Sequence, residues 1–237
     1  MEWQDHGILL SVRRHGESAA IIEVMTEAHG RHAGLVRGGG SRKSAALLQP
    51  GNWLTLSWRA RLEGQLGSFS VELKKSYSAP LLSSRLKLFG FNALSAMLTR
   101  YVPEREPNQA LFRACTDLME RFQSDENWQH CYCHLELEML NSLGYGIDLS
   151  HCAVTGQDHD LTHVSPKSGR AVGRESAKGW EDKLLAYPGF LIEDSFIQIT
   201  AEEFSQSLQL SGYFFEKHVP MNPPKLPEAR LRFADMV

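Results

Sequence analysis

The sequence predicts an α+β fold in which a small five-stranded β-barrel is followed by a helical part. Three observations support this prediction. Apolar and polar residues alternate in short rows up to about residue 80, glycines separate these rows, and after Pro80 the apolar residues recur every three or four positions. A period of two is typical of a half-buried sheet, and a period of three to four is typical of an amphipathic helix.

Alternating apolar residues mark four rows in the first part of the chain. The rows are Ile8, Leu10 and Val12; Ala20, Ile22 and Val24; Leu54, Leu56, Trp58, Ala60 and Leu62; and Phe69, Val71 and Leu73. Tight turns often need a positive φ, which glycine adopts at little cost. The glycines between the rows are Gly16, Gly30, Gly51, Gly64 and Gly67. Five short strands in about eighty residues are typical of a small barrel.

Apolar residues spaced by three or four positions then predict a series of helices. The first three apolar faces are Leu86, Phe89, Ala93, Met97 and Tyr101; Leu111, Cys115, Leu118 and Phe122; and Trp128, Tyr132, Leu135, Met139 and Leu143. Pro103 ends the first helix, and Gly144 offers the third a left-handed cap. A later helix begins near Thr200, which can form a capping box with Glu203. The apolar stripe of that helix is Phe204, Leu208, Phe215 and Val219.

These patterns divide the chain into four segments. We expect the barrel over residues 1–80, the first part of a helical domain over residues 81–148, and its C-terminal part over residues 184–237. Residues 149–183 lose periodicity and are rich in Gly, Ser, His and charge, so they predict an inserted subdomain. Four prolines from Pro220 to Pro227 predict an extended tail.

The overall composition is that of an ordinary globular protein. Of the 237 residues, 42% are hydrophobic and 22% are charged. The chain has no apolar run of the roughly 20 residues that span a bilayer, and its first residues lack the features of a secretory signal. Its four cysteines do not follow a disulfide framework, so reduced thiols and a cytoplasmic location are expected.

Charge is distributed unevenly along the chain. The formal net charge is −3, yet residues 1–80 hold ten Lys and Arg against seven Asp and Glu, whereas the remainder holds fifteen against twenty-one. A basic front half on an acidic protein indicates localised anion binding.

Several cations of the predicted barrel are candidates for contact with a nucleic-acid backbone. They are Arg13, Arg14, Arg37, Arg42, Lys43, Arg59 and Arg61. Glycines between Arg37 and Lys43 would let the main chain approach phosphates. Trp53 is a candidate stacking platform because it shares strand parity with Arg59, whereas Trp58 completes the apolar row and is expected in the core. The alternative is that these cations are ordinary solvated surface residues.

Neither a metal site nor a catalytic site is predicted. His and Cys residues occur at 130, 131, 133, 134, 151, 152, 159 and 163, but their spacing does not match that of structural zinc sites. Phosphate-binding, nucleophile-elbow and metalloprotease motifs are absent from the sequence. Asp158, His159, Asp160 and His163 could form a hydrolytic metal site, but loops are commonly rich in such residues. The sequence therefore predicts a non-enzyme without cofactors.

Several strings resemble the RecO family of bacterial recombination mediators. Residues 5–10 (DHGILL), Gly16-Glu17 and residues 30–38 (GRHAGLVRG) are similar to the N-terminal barrel of that family. Residues 143–152 (LGYGIDLSHC) resemble the junction between its helical core and its zinc-type subdomain, and residues 164–171 (VSPKSGRA) resemble the hairpin of that subdomain. The resemblance covers nearly the whole chain.

The resemblance implies an N-terminal OB-type barrel, a helical domain with an inserted zinc-ribbon-like subdomain, and binding to single- and double-stranded DNA. It further implies annealing of complementary strands and, with RecR, loading of RecA on DNA coated by single-strand-binding protein. The expected location is the cytoplasm, in association with the nucleoid. Arg113 and Arg121 are candidates for contact with the C-terminal tail of single-strand-binding protein. Many relatives carry four cysteines around the insertion. In this chain only Cys152 stands at a matching position, and Thr155 replaces the neighbouring cysteine, so a metal-free subdomain is expected.

Two other functions stay open from the sequence alone. One is a metal-dependent nuclease or other hydrolase that uses the His and Asp residues of the insertion. The other is a protein-only adaptor whose barrel grips a partner protein and whose cations are incidental.

Overall fold

The computed structural model describes residues 1–42, 44–62, 64–124, 127–192, 198–223 and 225–237. The chain forms two compact units, Met1–Ser124 and Asp125–Val237. The finer division into four segments stays a prediction. Within the described ranges, no helix is long and apolar enough to cross a lipid bilayer.

The first unit contains the predicted five-stranded barrel. Its strands are β1 (Glu2–His15), β2 (Ala19–Thr26), β3 (Gly30–Val36), β4 (Trp53–Arg59) and β5 (Ser68–Lys75). They close in the order β1-β2-β3-β5-β4, and every pair is antiparallel except β3 with β5. The first half of the long β1 pairs with β4 and its second half with β2, and a β-bulge between Leu9 and Ser11 lets it bend.

The barrel core confirms most of the predicted apolar rows. Its buried members are Leu9, Ala20, Ile22, Val24, Val36, Leu48, Leu54, Leu56, Trp58 and Phe69. The β1 row and the ends of two other rows were predicted wrongly. Leu9 of β1 lies in the barrel core and pairs with Val24, whereas Ile8 and Leu10 are buried outside this core. The bulge after Leu9 then lets Val12 pack against the core. Leu62 lies beyond the end of β4 and is 65% exposed, and Leu73 near the end of β5 is 50% exposed. The five turn glycines all have the predicted positive φ.

Strand β3 gave no apolar row in the sequence because glycine and histidine occupy its inward positions. Gly30, His32 and Gly34 are buried together with Val36. A Cβ on Gly34 would lie 2.5 Å from the Phe69 ring, so only glycine leaves room for this aromatic side chain. The large rings inside the barrel thus require small residues on the facing strand.

Three helices complete the first unit: α1 (Ser78–Ser83), α2 (Arg85–Tyr101) and α3 (Gln109–Ser124). Helices α2 and α3 confirm the predicted periodicity, whereas α1 was not predicted. Ser95 on α2 donates a hydrogen bond to the Leu10 carbonyl (2.7 Å). Buried Arg31 on β3 donates to the Val102 carbonyl (2.9 Å) and forms an ion pair with Glu23. These contacts fix the end of α2 against the barrel.

The second unit combines helices with a small sheet. Its helices are α4 (Trp128–Ser142), α5 (Arg174–Ala177), α6 (Ala201–Lys217) and α7 (Glu228–Ala234). Strands β6 (Leu161–Val164), β7 (Ala171–Gly173) and β8 (Leu185–Ala186) form an antiparallel sheet in the order β7-β6-β8. Thr200 and Glu203 form the predicted capping box of α6, and Gly144 follows α4 with a φ of 84°.

Helix α7 was missed by the sequence analysis because it has only seven residues and follows the proline-rich tail. A buried ion pair holds it. The Arg230 guanidinium donates to the Glu136 carboxylate on α4 (2.5 and 2.9 Å) and to the Leu208 carbonyl on α6 (2.9 Å). Ser211 also donates to Glu136 (2.6 Å), so one carboxylate joins α4, α6 and α7.

Replacing Arg230 with Met should strongly destabilise the protein. The Arg230 and Glu136 side chains are each 1% exposed, and a buried carboxylate without its counter-charge costs about 3–5 kcal/mol. We expect urea unfolding followed by circular dichroism to show this loss. The double variant Arg230→Met/Glu136→Met should recover much of it, because no charge then stays buried.

Arg232→Met is the matched control. Arg232 lies on the same helix in an exposed pair with Glu228 (3.0 Å), and such pairs contribute about 0–1 kcal/mol. Equal losses for Arg230→Met and Arg232→Met would contradict a structural role for the buried pair.

Candidate nucleic-acid interface

Strand pairing places five residues in one continuous row on the outer surface of the barrel. Arg13 pairs with Ile21, Ile21 with Leu35, Leu35 with Ser68, and Ser68 with Arg59. Directly paired residues share a face of the sheet. We call these five residues the arginine row. The adjacent inward row passes through the buried residues Ala20, Val36, Phe69 and Trp58.

The arginine row combines positive charge with apolar surface. Arg13 and Arg59 are exposed at its two ends, and the side chains of Ile21 and Leu35 between them are half-buried. Four strand spacings separate the two arginines, which is about 19 Å along the curved surface. A row of this kind offers contacts both to phosphates and to the apolar faces of bases.

Three loops meet at the same end of the barrel. Residues 16–18 join β1 to β2, residues 37–42 follow β3, and residues 60–62 and 64–67 lie between β4 and β5. The Gly40 amide donates to the Ser18 carbonyl (3.0 Å), and the Leu35 amide donates to the Gly67 carbonyl (3.1 Å). The loops therefore border the arginine row, and they carry Arg37, Arg42 and Arg61.

Most of these cations lack an acidic partner. Arg13, Arg14, Arg37, Arg42 and Arg61 are exposed and form no ion pair with any residue that the structure describes. Arg59 differs, because its guanidinium lies 2.8 Å from the Glu2 carboxylate in an exposed pair. Lys43, which the sequence also nominated, lies outside the described residues. Five of the seven nominated cations thus lie in the arginine row or on the loops beside it: Arg13, Arg37, Arg42, Arg59 and Arg61. All of them except Arg59 form no ion pair with any residue that the structure describes. Arg14 is not brought into the row, because it pairs with Ala20 of the adjacent inward row.

Gly39 of the 37–42 segment has a packing role in the barrel. Gly39 is buried against β2, and a Cβ at this position would lie 2.9 Å from the Ala20 Cβ. This glycine lets the loop pack on the barrel, and the approach of the main chain to phosphates stays a prediction. Gly38 faces open space with a φ of 72°.

Trp53 is not brought together with the arginine row. It lies at the opposite end of β4 from Arg59, about 20 Å away along the strand. Its ring stacks on Tyr77 at a centroid distance of 6.4 Å, and the Lys74 ammonium lies 4.7 Å from its centroid. Strand parity correctly placed Trp53 on the same face of β4 as Arg59, but it did not indicate how far apart the two residues lie. A stacking role for Trp53 stays a prediction.

Arg105 is a cation of this region that the sequence analysis missed. It belongs to the segment after α2 and has a φ of 65°. Its guanidinium donates to the Gln65 carbonyl (2.7 Å), and its Cζ lies 5.9 Å from the centroid of the Trp58 ring. Its distance in sequence from the barrel hid this contact.

His32 lies inside the same end of the barrel. Its ring meets those of Trp3, Trp58 and Phe69 edge-on, at centroid distances of 5.1, 4.9 and 6.0 Å. Neither ring nitrogen has a hydrogen-bond partner among the described residues. Burial, together with the positive charge of Arg105, lowers the pKa of His32 to about 4. The imidazole is therefore neutral at pH 7.

The two cations nominated for partner binding lie on α3. Arg113 is exposed and donates to the Gln109 carbonyl one turn earlier (3.3 Å), and Arg121 is half-buried. Their role stays a prediction.

The inserted subdomain does not offer a zinc-ligand set. Cys152 and Thr155 form one pair of positions, and Ser176 and Gly179 form another with the same spacing, but only one of these four residues has a sulfur. The Cys152 Sγ accepts a hydrogen bond from the Gly173 amide (3.2 Å) and lies 3.9 Å from the Ser176 Oγ. Burial alone would raise the pKa of Cys152, but hydrogen bonds from the Thr155 side chain and nearby amides lower it to about 6. Hydrogen bonds thus surround the sulfur in place of ligands.

The acidic residues and histidines of the insertion do not converge on one point. Asp158 contacts His159 (3.2 Å), whereas Asp160 pairs with Arg174 (3.0 Å). Within the described ranges, the one group close enough to hold a metal is Asp5, His6 and Glu27 in the barrel. Asp5 is already engaged, since it accepts from the Ala28 amide (2.9 Å) and contacts His29 (3.0 Å) across the β2–β3 turn.

Comparison with known proteins identifies a family. Residues 1–77 match the family "Recombination protein O N terminal", and residues 82–227 match "Recombination protein O C terminal". The chain is 48% identical over 239 residues to "DNA repair protein RecO" of Cereibacter sphaeroides, covering 100% of this chain and 98% of the relative. Proteins of the same name from Roseobacter denitrificans (48%; 99% and 98% covered) and Mesorhizobium japonicum (44%; 98% and 92% covered) are also similar.

The stability of the barrel should depend on pH through His32. Because the pKa of His32 falls to about 4 in the fold, against about 6.5 in an unfolded chain, only the unfolded state takes up a proton between these values. Stability should therefore decrease as the pH falls from 6.5 to 4, by up to about 3 kcal/mol. His32→Phe should remove this component, as measured by urea unfolding at several pH values.

Exposed His15 provides the matched control, and His15→Phe should keep the pH dependence of the wild type. If the His32→Phe variant also keeps the wild-type pH dependence of stability, the His32 imidazole takes up protons equally in the folded and unfolded states. This interpretation of His32 would then be wrong.

Proposed function

The chain belongs to the RecO family of DNA repair proteins, and on this premise we propose that it is a DNA-binding recombination mediator that catalyses no bond chemistry. In this role it binds single- and double-stranded DNA and anneals complementary strands coated by single-strand-binding protein. Together with RecR it promotes loading of RecA, in the cytoplasm and on the nucleoid. The family resemblance found in the sequence is confirmed; these finer activities are our proposal.

The observation that carries the proposal is the set of cations around the arginine row that form no ion pair with any described residue. Phosphate contacts by Arg and Lys release counterions and supply much of the affinity for DNA, whatever its sequence. Arg13 and Arg59 would hold the backbone at the two ends of the row, and Arg37, Arg42 and Arg61 would hold it from the loops. Ile21 and Leu35 lie between them, where the bases of a single strand would pass.

Annealing requires no reaction at the protein. Two strands held on one positive surface repel each other less and meet at a higher local concentration. Neither a nucleotide nor a cofactor is needed for this step. The separate contacts of the His and Asp residues in the insertion support a binding role over hydrolysis.

The partner surfaces belong to the same proposal. We place the acidic tail of single-strand-binding protein near Arg113 and Arg121 on α3, where cations would pair with its carboxylates. RecR is a partner on the strength of the family alone, and we assign it no surface.

A salt titration tests the proposed function. Replacing Arg37, Arg42 and Lys43 with Ala should weaken single-strand binding and flatten its salt dependence. Each phosphate contact contributes about 0.7 to the slope of log K against log salt, so loss of three contacts should reduce the slope by about 2. Fluorescence anisotropy of a labelled oligonucleotide measures this slope.

The control replaces three exposed lysines of the second unit, Lys167, Lys217 and Lys225, with Ala, and it should leave the slope unchanged. An unchanged slope in the loop variant would remove these three cations from the interface. A wild-type protein with no salt-dependent DNA binding would favour the protein-only adaptor.

A further inference from the structure

Two leucines are exposed on the loop of residues 60–67 beside the arginine row. The side chain of Leu62 is 65% exposed and that of Leu66 is 41% exposed. A single exposed leucine needs no explanation. These two lie on one loop that borders Arg37, Arg42 and Arg61, which form no ion pair with any residue that the structure describes. The leucines therefore add exposed apolar surface beside these cations.

Hydrogen bonds from three other segments hold the second half of this loop. The Trp58 indole donates to the Leu66 carbonyl (3.1 Å), Arg105 donates to the Gln65 carbonyl (2.7 Å), and the Leu35 amide donates to the Gly67 carbonyl (3.1 Å). The first half is tied to the second, because the Leu62 amide donates to the Gln65 side chain (3.3 Å).

Gly67 fixes the loop against the barrel. Its φ is 67°, and a Cβ at this position would lie 2.4 Å from the Trp58 indole. The Gly67 backbone therefore rests directly on the Trp58 ring, whose N–H donates to the carbonyl of the preceding residue, Leu66. The leucines are presented by a main chain that is anchored at Gln65, Leu66 and Gly67, so their exposure is a property of the fold.

We propose that Leu62 and Leu66 pack against unstacked bases of a single strand whose phosphates lie on the arginine row. This inference rests on the proposed DNA-binding function and adds its preference for single strands. The bases of a duplex are stacked and paired, so their faces are closed to side chains, whereas those of a single strand are open. Apolar side chains that insert between bases are an established way for proteins to contact them.

Charge complementarity selects DNA over a protein as the occupant. An apolar protein partner would have to desolvate Arg37 and Arg61, and this is costly unless the partner supplies matching acids. A single strand supplies one phosphate for each base, so it satisfies the arginines and the leucines together.

The test uses the full chain with Leu62→Ser and Leu66→Ser combined. Single-strand affinity should fall about tenfold at every salt concentration, because loss of one base contact is of this order. The slope against salt should not change, since apolar contacts release no counterions. Affinity for a duplex of the same length should stay within about twofold.

A second readout follows the bases directly. An oligonucleotide containing 2-aminopurine becomes more fluorescent when its bases unstack, and the wild type should produce this increase on binding. The double serine variant should produce a smaller increase. The variant Leu62→Phe, with a larger flat side chain, should bind single strands more tightly than the wild type.

The control combines Leu73→Ser and Leu82→Ser, which replace leucines that are 50% and 66% exposed outside this loop. It should bind like the wild type, and both double variants should fold normally because exposed substitutions have small effects on stability. Circular dichroism checks this.

The outcomes separate the two hypotheses. If the wild type and the Leu62→Ser/Leu66→Ser variant bind DNA equally and in a salt-dependent way, the leucine contact is overturned and the proposed function stands. If the Leu62→Ser/Leu66→Ser variant loses the same affinity for single strands and for duplexes, the leucine contact is also overturned. The same holds if the variant binds DNA normally and loses only its binding to a protein. Absence of salt-dependent binding by the wild type overturns the proposed function itself.

Discussion

Two residue pairs between parallel strands, Leu35 with Ser68 and Val36 with Phe69, close the sheet of the first unit into a barrel. The geometry of the candidate interface depends on this closure. Through it, the start of β5 meets the end of β3. Because Ser68 of β5 pairs with Arg59 of β4, Arg13 and Arg59 become members of one row although they are far apart in sequence. Closure also removes the strand edges that would otherwise pair with other chains.

The segment after α2 supports this closure from outside. Buried Arg31 on β3 binds the Val102 carbonyl, and in return the Arg105 amide donates to the Arg31 carbonyl (2.8 Å). Arg105 then reaches the Gln65 carbonyl, so one segment is fixed both to β3 and to the β4–β5 loop. Its charge also contributes to the low pKa of His32. Packing, charge and loop position at this end of the barrel are therefore coupled through a few side chains.

Sequence patterns predicted those parts of the fold that depend on local periodicity. Strands β2 and β4 and helix α2 have regular apolar faces, whereas β3 did not show one because Gly34 must leave room for Phe69. Charge patterning nominated the cations, but whether Arg13 and Arg59 lie together is decided by strand stagger, which no local pattern contains. Trp53 is separated from Arg59 by the length of β4. Arg105 reaches the β4–β5 loop from the segment after α2, a tertiary contact that no local pattern contains.

The central claim is that DNA lies along the outer surface of β2 and β3 and is held by the barrel-end loops. Hydrogen exchange of the protein with and without a saturating single-stranded oligonucleotide tests it most directly. Amides of β2, β3 and residues 16–18, 37–42 and 60–67 should exchange more slowly in the complex. Protection confined to the sheet of residues 161–186, or none in the barrel, would contradict the account.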